Sequence, residues 1–112
     1  MTECIFCKIV AGELPADVIH QDEKTIVFKD IHPKAPVHLL VVPREHIPSL
    51  RELTPQHDDL IAHMMRLLPR LAEAQGLDDG FRTVINTGRG GGQEVFHLHI
   101  HLLGGSRLPG MA

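Results

Sequence analysis

Residues 97–103 read HLHIHLL, and a glycine-rich stretch, GRGGGQ at 88–93, ends just before them. On an extended strand successive side chains point to opposite faces, so His97, His99 and His101 share one face and Leu98, Ile100 and Leu102 the other. The aliphatic face is the one that a core will bury, which leaves the histidine face to carry a site. The two outer rings are about 13 Å apart along such a strand, too far to ligate one ion comfortably. A three-histidine metal site made by this strand alone is therefore a poor reading. An isolated histidine on a strand is ordinarily a hydrogen-bonded structural residue. Three in strict alternation, beside a glycine-rich loop, strain that explanation.

The rest of the chain bounds what that face can do. Its 112 residues are enough for one core and one domain, expected to span 1–112. Hydrophobic residues make up 43% and charged residues 22%, an ordinary globular balance. A formal charge of -3 offers no basic field, so binding to a nucleic-acid polymer or an anionic membrane surface is disfavoured, while a small anionic ligand remains within reach of local groups. No apolar run is long enough to span a bilayer, and MTECIFCKIVAGE lacks the layout of a signal peptide, so a cytoplasmic location is expected. With no Trp and no Tyr, a base-binding site must rely on Phe and aliphatic walls.

Working outward from the histidine stretch, the chain reads α-β-β-β-α-β-β. ECIFCKIVA at 3–11 suits a short helix stopped by Gly12 and Pro15. VIHQ at 18–21 and TIVFKD at 25–30 suit two strands joined by a tight turn, and HLLVV at 38–42 a central strand between prolines. A helix is predicted from Thr54, a capping residue, with Pro55 in the first turn and Asp58 and Asp59 at its positive end. Leu60, Met64, Leu67, Leu68 and Leu71 recur at the helical period; Pro69 should kink the helix and Gly76 stop it. FRTVIN at 81–86 and VFHLHIHLLG at 95–104 complete the strands. The expected class is α+β, an antiparallel sheet covered by one long helix. Its remaining unpartnered surface makes a homodimer a reasonable expectation.

Two further features bear on chemistry. Cys4 and Cys7, in CIFC, are the only cysteines, and one close pair is no disulfide framework. They can be a redox pair, two ligands of a tetrahedral metal site, or two small buried residues. Glycines 88, 90, 91 and 92 allow backbone amides to approach an anion, although such a loop is also an ordinary surface turn.

His97-Leu98-His99-Ile100-His101-Leu102-Leu103 matches in full the His-φ-His-φ-His-φ-φ signature of the histidine triad (HIT) family, where φ is apolar. CIFCKI, FKDIHPKAPVHLLVVPREHI and NTGRGGGQ also resemble its Hint-like branch of purine nucleotide phosphoramidases, in its bacterial type with a CxxC pair. The similarity spans residues 4–105.

The resemblance implies a HIT-like fold and a hydrolase of nucleoside 5′-phosphoramidates or related nucleotidyl conjugates, purines preferred. It would work through a covalent nucleotidyl-histidine and release a nucleoside monophosphate. His99 resembles the nucleophile, oriented through a backbone carbonyl of its own strand. His101 resembles the residue that contacts the phosphoryl oxygens, and His38 a supporting histidine. Asp30 resembles the carboxylate that takes the ribose hydroxyls, and Ile5, Phe6, Phe28 and Ile31 the walls around the base. Asn86, Gly92, Gln93, Glu94 and Val95 occupy positions that surround the phosphate, together with His99 and His101.

Glu94 departs from the hydroxyl residue of many relatives, and a carboxylate beside a phosphate must be protonated, turned away, or facing a cationic leaving group. The resemblance further implies a structural zinc on Cys4, Cys7, His46 and His97, with no cofactor required for catalysis. A dinucleoside polyphosphate hydrolase and a nucleotide-binding or interaction module with little turnover are the competing readings. Either way the partners are a small nucleotide and a second copy of the chain.

Overall fold

The apolar runs seen in the sequence become a five-stranded antiparallel sheet with one long helix against it, in the computed structural model, which describes residues 3–110. The strands are β1 (Val18–Gln21), β2 (Thr25–Lys29), β3 (Val37–Pro43), β4 (Phe81–Val84) and β5 (Ile100–Gly104), in the spatial order β1-β2-β3-β5-β4. The continuous apolar run of β3 lies at the centre, where both faces are covered; Leu39, Val41 and Val42 are buried almost completely. α1 is Ile5–Val10 and α2 is Asp58–Ala74.

The start of α2 follows the local chemistry. Thr54 accepts from the Gln56 amide, and the His57 ring accepts from the Thr54 amide, a reciprocal cap over a 3-10 turn at Pro55–His57 that precedes the helix proper. At the other end Gly76, at φ 73°, adopts the left-handed conformation that lets the Leu77 amide reach Ala72 O and its own amide reach Glu73 O. The helix runs unbroken through Pro69, which stands on the solvent side, where the carbonyl it cannot pair remains open to water.

The two faces of the sheet bury different clusters. Met64, Leu67, Leu68 and Leu71 of α2 pack on Val27, Leu39, Val41, Ile100 and Leu102. On the opposite face Phe6 of α1 packs with Ile26, Phe28, Leu40 and Val42. The alternation of β2, β3 and β5 thus divides the sheet between the two helices.

The last strand is shorter than expected. Regular pairing runs from Val41↔Ile100 to Val37↔Gly104, and residues 95–99 lie outside it. β3 ends in Pro43, which has no amide to donate, and the Pro43 carbonyl is taken by the His97 ring at 2.8 Å. A single backbone bond, from the Leu98 amide to Ile47 O at 2.7 Å, replaces the ladder there. β4 likewise stops at Val84, before Asn86.

A carboxylate clamp ties the β1–β2 turn to α2. Asp22 accepts from the Lys24 and Thr25 amides, the Thr25 hydroxyl, His20 Nε2 and His63 Nε2, all at 2.7–2.9 Å. Burial pushes its pKa up, but the donations from His20, Lys24, His63 and Thr25 outweigh it and hold the carboxyl well below the usual carboxylate range. The folded value lies under the ordinary 3.8, so the stabilisation is complete above that pH and is lost as pH falls beneath it. Asp22→Ala should lower unfolding stability by about 2–3 kcal/mol at pH 7, through the donors it strands. Denaturant titration measures this, and a loss within error of zero would show that the turn holds without the clamp. Among the described residues, no helix is long and apolar enough to cross a membrane.

Candidate functional site

The shift of chain direction before β5 brings residues from both termini together. His99 and His101 are 5.0 Å apart between ring centroids, and Phe6 of α1 lies edge-on to His99 at 5.1 Å. A cleft of about 240 Å³ opens beside them, lined by His99, His101, Asp30 and Phe6, by Lys34 and Leu40, and by Asn86, Gly92, Glu94 and Val95 of the glycine-rich segment. Asp30, Phe6 and Leu40 also line an adjoining apolar pocket of about 260 Å³, whose walls include Ile5, Ile9, Phe28 and Ile31. The molecule thus pairs a polar cleft with an apolar one across a shared carboxylate.

The tautomers follow from the hydrogen bonds. His99 Nδ1–H donates to the His97 carbonyl at 2.7 Å, which leaves the lone pair on Nε2. Burial lowers the His99 pKa against the opposing pull of that bond and of Asp30, so the ring is uncharged at neutral pH. The Lys34 amide donates to His38 Nδ1 at 3.0 Å, so His38 carries its proton on Nε2 and donates to His101 Nδ1 at 2.9 Å, with Asp30 Oδ2 at 3.4 Å. His101 is then left with Nε2–H as a donor. Burial, with His99, His38 and Lys34 nearby, pushes the His101 pKa down to about 4 despite Asp30.

The loop before the strand is more self-contained than a nest of free amides. The amides of Gly91, Gly92 and Gln93 donate to Gly88 O and Arg89 O within the loop, and the Gly88 amide donates to Gln93 Oε1. Gly92, at φ 86°, makes the left-handed step that turns the chain into the cleft. Gln93 is buried, and its Nε2 donates to Pro48 O and Val95 O. It braces the loop and does not line the cleft, unlike its neighbours Gly92, Glu94 and Val95. Asn86 donates to Gly91 O at 2.8 Å and does line the cleft. His38 stands behind His101. Lys34 escaped the sequence reading; its one signal was a cation four residues before His38, in a segment held by Pro33 and Pro36.

Beyond the cleft, Cys4, Cys7, His46 and His97 converge. Cys4 Sγ lies 3.3 Å from His97 Nδ1, Cys7 Sγ 3.3 Å from His46 Nδ1 and 3.6 Å from His97 Nδ1, and the two Nδ1 atoms are 3.3 Å apart. Bonds of about 2.0–2.1 Å to nitrogen and 2.3 Å to sulfur give tetrahedral edges of roughly 3.3–3.8 Å, so the spacing suits a four-coordinate ion. His97 donates Nε2–H to Pro43 O, which turns the lone pair of Nδ1 toward the cluster, and the Cys7 amide donates to Cys4 Sγ. These residues could hold a metal ion.

Known proteins agree with this geometry. A family profile described as "Scavenger mRNA decapping enzyme C-term binding" matches residues 3–111. Protein HitA of Neisseria gonorrhoeae is 55% identical over 104 residues, 93% of this chain and 97% of its own. The purine nucleoside phosphoramidase of Escherichia coli K12 is 42% identical over 110 residues, 97% of this chain and 92% of its own. A histidine triad protein structure from Clostridium difficile superposes with a TM-score of 0.95 at 41% identity, covering 100% of this chain and 98% of that one. Motif, fold and relatives converge, and the chain belongs to the histidine triad family.

Proposed function

We propose that the chain hydrolyses nucleoside 5′-phosphoramidates and related nucleotidyl conjugates, purines preferred, through a covalent nucleotidyl-histidine at His99. The observation that carries this reading is the 2.7 Å bond from His99 Nδ1–H to the His97 carbonyl, which suits a neutral imidazole whose Nε2 can attack. Nε2 forms a bond to the α-phosphorus while the bond to the leaving amine breaks, and the amine departs with the electron pair and takes a proton from water in the open cleft. Water then attacks the same phosphorus, the bond to Nε2 breaks, and the nucleoside monophosphate is released.

The two adjoining cavities fit such a substrate. The base lies against Ile5, Phe6, Phe28 and Ile31, and the ribose hydroxyls donate to Asp30. His101, positioned by His38, donates Nε2–H to a phosphoryl oxygen, with Asn86, Gly92 and Val95 around the same group. Gln93 acts from behind by holding the loop. Glu94 lines the cleft and is best matched to a cationic amine on the leaving side, because its carboxylate would repel the anionic leaving group of a dinucleoside polyphosphate. The purine nucleoside phosphoramidase relative supports the same substrate class. Zinc is the ion that suits two thiolates and two imidazoles; its role would be structural, supplying no chemistry to the phosphoryl group. The open edge of β4, with Phe81 exposed, supports a homodimer, and a cytoplasmic setting suits the paired thiols.

The test compares kcat/KM for adenosine 5′-phosphoramidate and a diadenosine polyphosphate. The phosphoramidate should be favoured by at least about tenfold, the scale of one well-placed charge in a specificity pocket. A reversed ratio would move the assignment to the polyphosphate. Tight binding of a nucleoside monophosphate with no turnover of either would make the protein a binding module.

A further inference from the structure

The segment that carries His99 is not held by the sheet. Regular pairing begins at Ile100, so residues 97–99 depend on other contacts, and most of these lead to the four-ligand cluster. His97 belongs to both sites: its ring joins the cluster through Nδ1, and its carbonyl accepts the hydrogen bond from His99 Nδ1–H. The amide of Leu98, between the two histidines, donates to Ile47 O, next to the ligand His46. Phe6, between Cys4 and Cys7, lies edge-on to His97 at 5.8 Å and to His99 at 5.1 Å, and it lines both the cleft and the apolar pocket. A carbonyl, an amide and an aromatic ring therefore all run from the cluster to the nucleophile.

We propose that the Cys4–Cys7–His46–His97 set is a positioning device for the reaction, with His97 as the residue that couples its occupancy to the orientation of His99. The inference rests on the proposed catalytic reading of His99. An ion bound by four protein ligands has no open position and supplies no chemistry to the phosphoryl group. With Nδ1 of His97 engaged and Nε2 bonded to Pro43 O, the His97 ring is fixed at both nitrogens, and its carbonyl is fixed with it. His99 then keeps its proton on Nδ1. When the ligand set is released, α1 and the His46 segment lose their tie to His97, the carbonyl can turn, and His99 can place its proton on the attacking nitrogen instead. Catalysis falls while the ribose and base contacts persist.

The experiment strips the wild-type protein of metal with a chelator, reloads it with zinc, and records three quantities in each state. These are the imidazole nitrogen-15 signals of His99, the kinetics with adenosine 5′-phosphoramidate, and the far-ultraviolet circular dichroism. Loaded protein should show His99 as a single Nδ1–H tautomer. Stripped protein should show mixed tautomers, and kcat should fall by ~10- to 100-fold, the cost of a misplaced reacting group. KM should change by less than about threefold, and reloading should restore all three readings. Stripped, folded protein with an unchanged His99 signature and unchanged kcat would overturn the proposal. Should stripping melt the sheet, His46→Ala, altered at an exposed ligand, decides: a shifted His99 signature in folded protein supports the coupling, and an unshifted one overturns it. Zinc-loaded protein that keeps the single tautomer yet turns over no nucleotide would defeat the phosphoramidase reading instead.

Discussion

His99→Ala is expected to lower phosphoramidate turnover by roughly 10⁴-fold or more, because under the proposed mechanism the substitution removes the attacking atom and no neighbour can replace it. His101 is close enough to be considered, but its Nδ1 accepts from His38 and its Nε2 bears a proton, so it has no free lone pair to attack with. Affinity for a nucleoside monophosphate should stay within about tenfold, since the apolar pocket and Asp30 are untouched. Steady-state kinetics and calorimetric titration read the two effects separately. Undiminished turnover would end the covalent mechanism. Parallel loss of binding and turnover in a folded variant would instead make His99 a general binding residue. In the wild type, burial depresses the His99 pKa below that of an ordinary imidazole, so loss of rate through protonation of this ring should set in only in more acid solution than for an exposed histidine.

Three residues further along the same chain, the expected consequence is of another kind. Leu102→Ala should cost about 3–4 kcal/mol of stability, corresponding to a fall in Tm of about 10–17 °C for a chain of this length. Leu102 has no exposed surface and sits opposite Leu39 in the sheet, against Met64, Leu67, Leu68 and Leu71 of the helix. Every neighbour in that cluster is itself buried, so removal of the side chain is expected to leave a cavity. Calorimetry measures the shift. At temperatures where the variant is folded, kcat should be close to wild type, because His99 and its partners lie on the opposite face. A drop of less than about 1 kcal/mol would mean that the helix closes the gap by sliding, and the two-face account of β5 would need revision.

These contrasting results follow from the alternation of histidine and aliphatic residues, and that much was legible in the chain. The strands expected at 18–21, 25–30 and 38–42 match β1, β2 and β3 to within one residue at each end, and the helix capped by Thr54 and stopped by Gly76 was legible from period, capping and glycine placement. The early end of the last strand was not. HLHIHLL has the pattern of one continuous strand, and what ends the pairing at Ile100 is a proline on β3 and a carbonyl claimed by a distant ring. Gln93 illustrates the same limit. Its position beside the glycines suggested a ligand contact, whereas its side-chain amide donates to Val95 O, two residues on, and to Pro48 O, a partner that nothing local to Gln93 would indicate.

By itself the sequence determined which residues are apolar, which carry a lone pair, and at what interval they repeat; these are properties of side chains and backbone period, and they suffice for the fold class and for the histidine face. The tertiary structure decided which nitrogen of His38, His97 and His101 holds the proton, and it identified the carbonyl that orients His99. That depends on acceptors at Pro43 and His97 and on a donor at Lys34, set by how the strands and loops come together. It also showed that His97, expected in the ligand set, joins that cluster through ring Nδ1 while its carbonyl accepts from His99. Hydrogen bonds act over about 3 Å, and residues 93 positions apart meet at that distance only after the chain has folded.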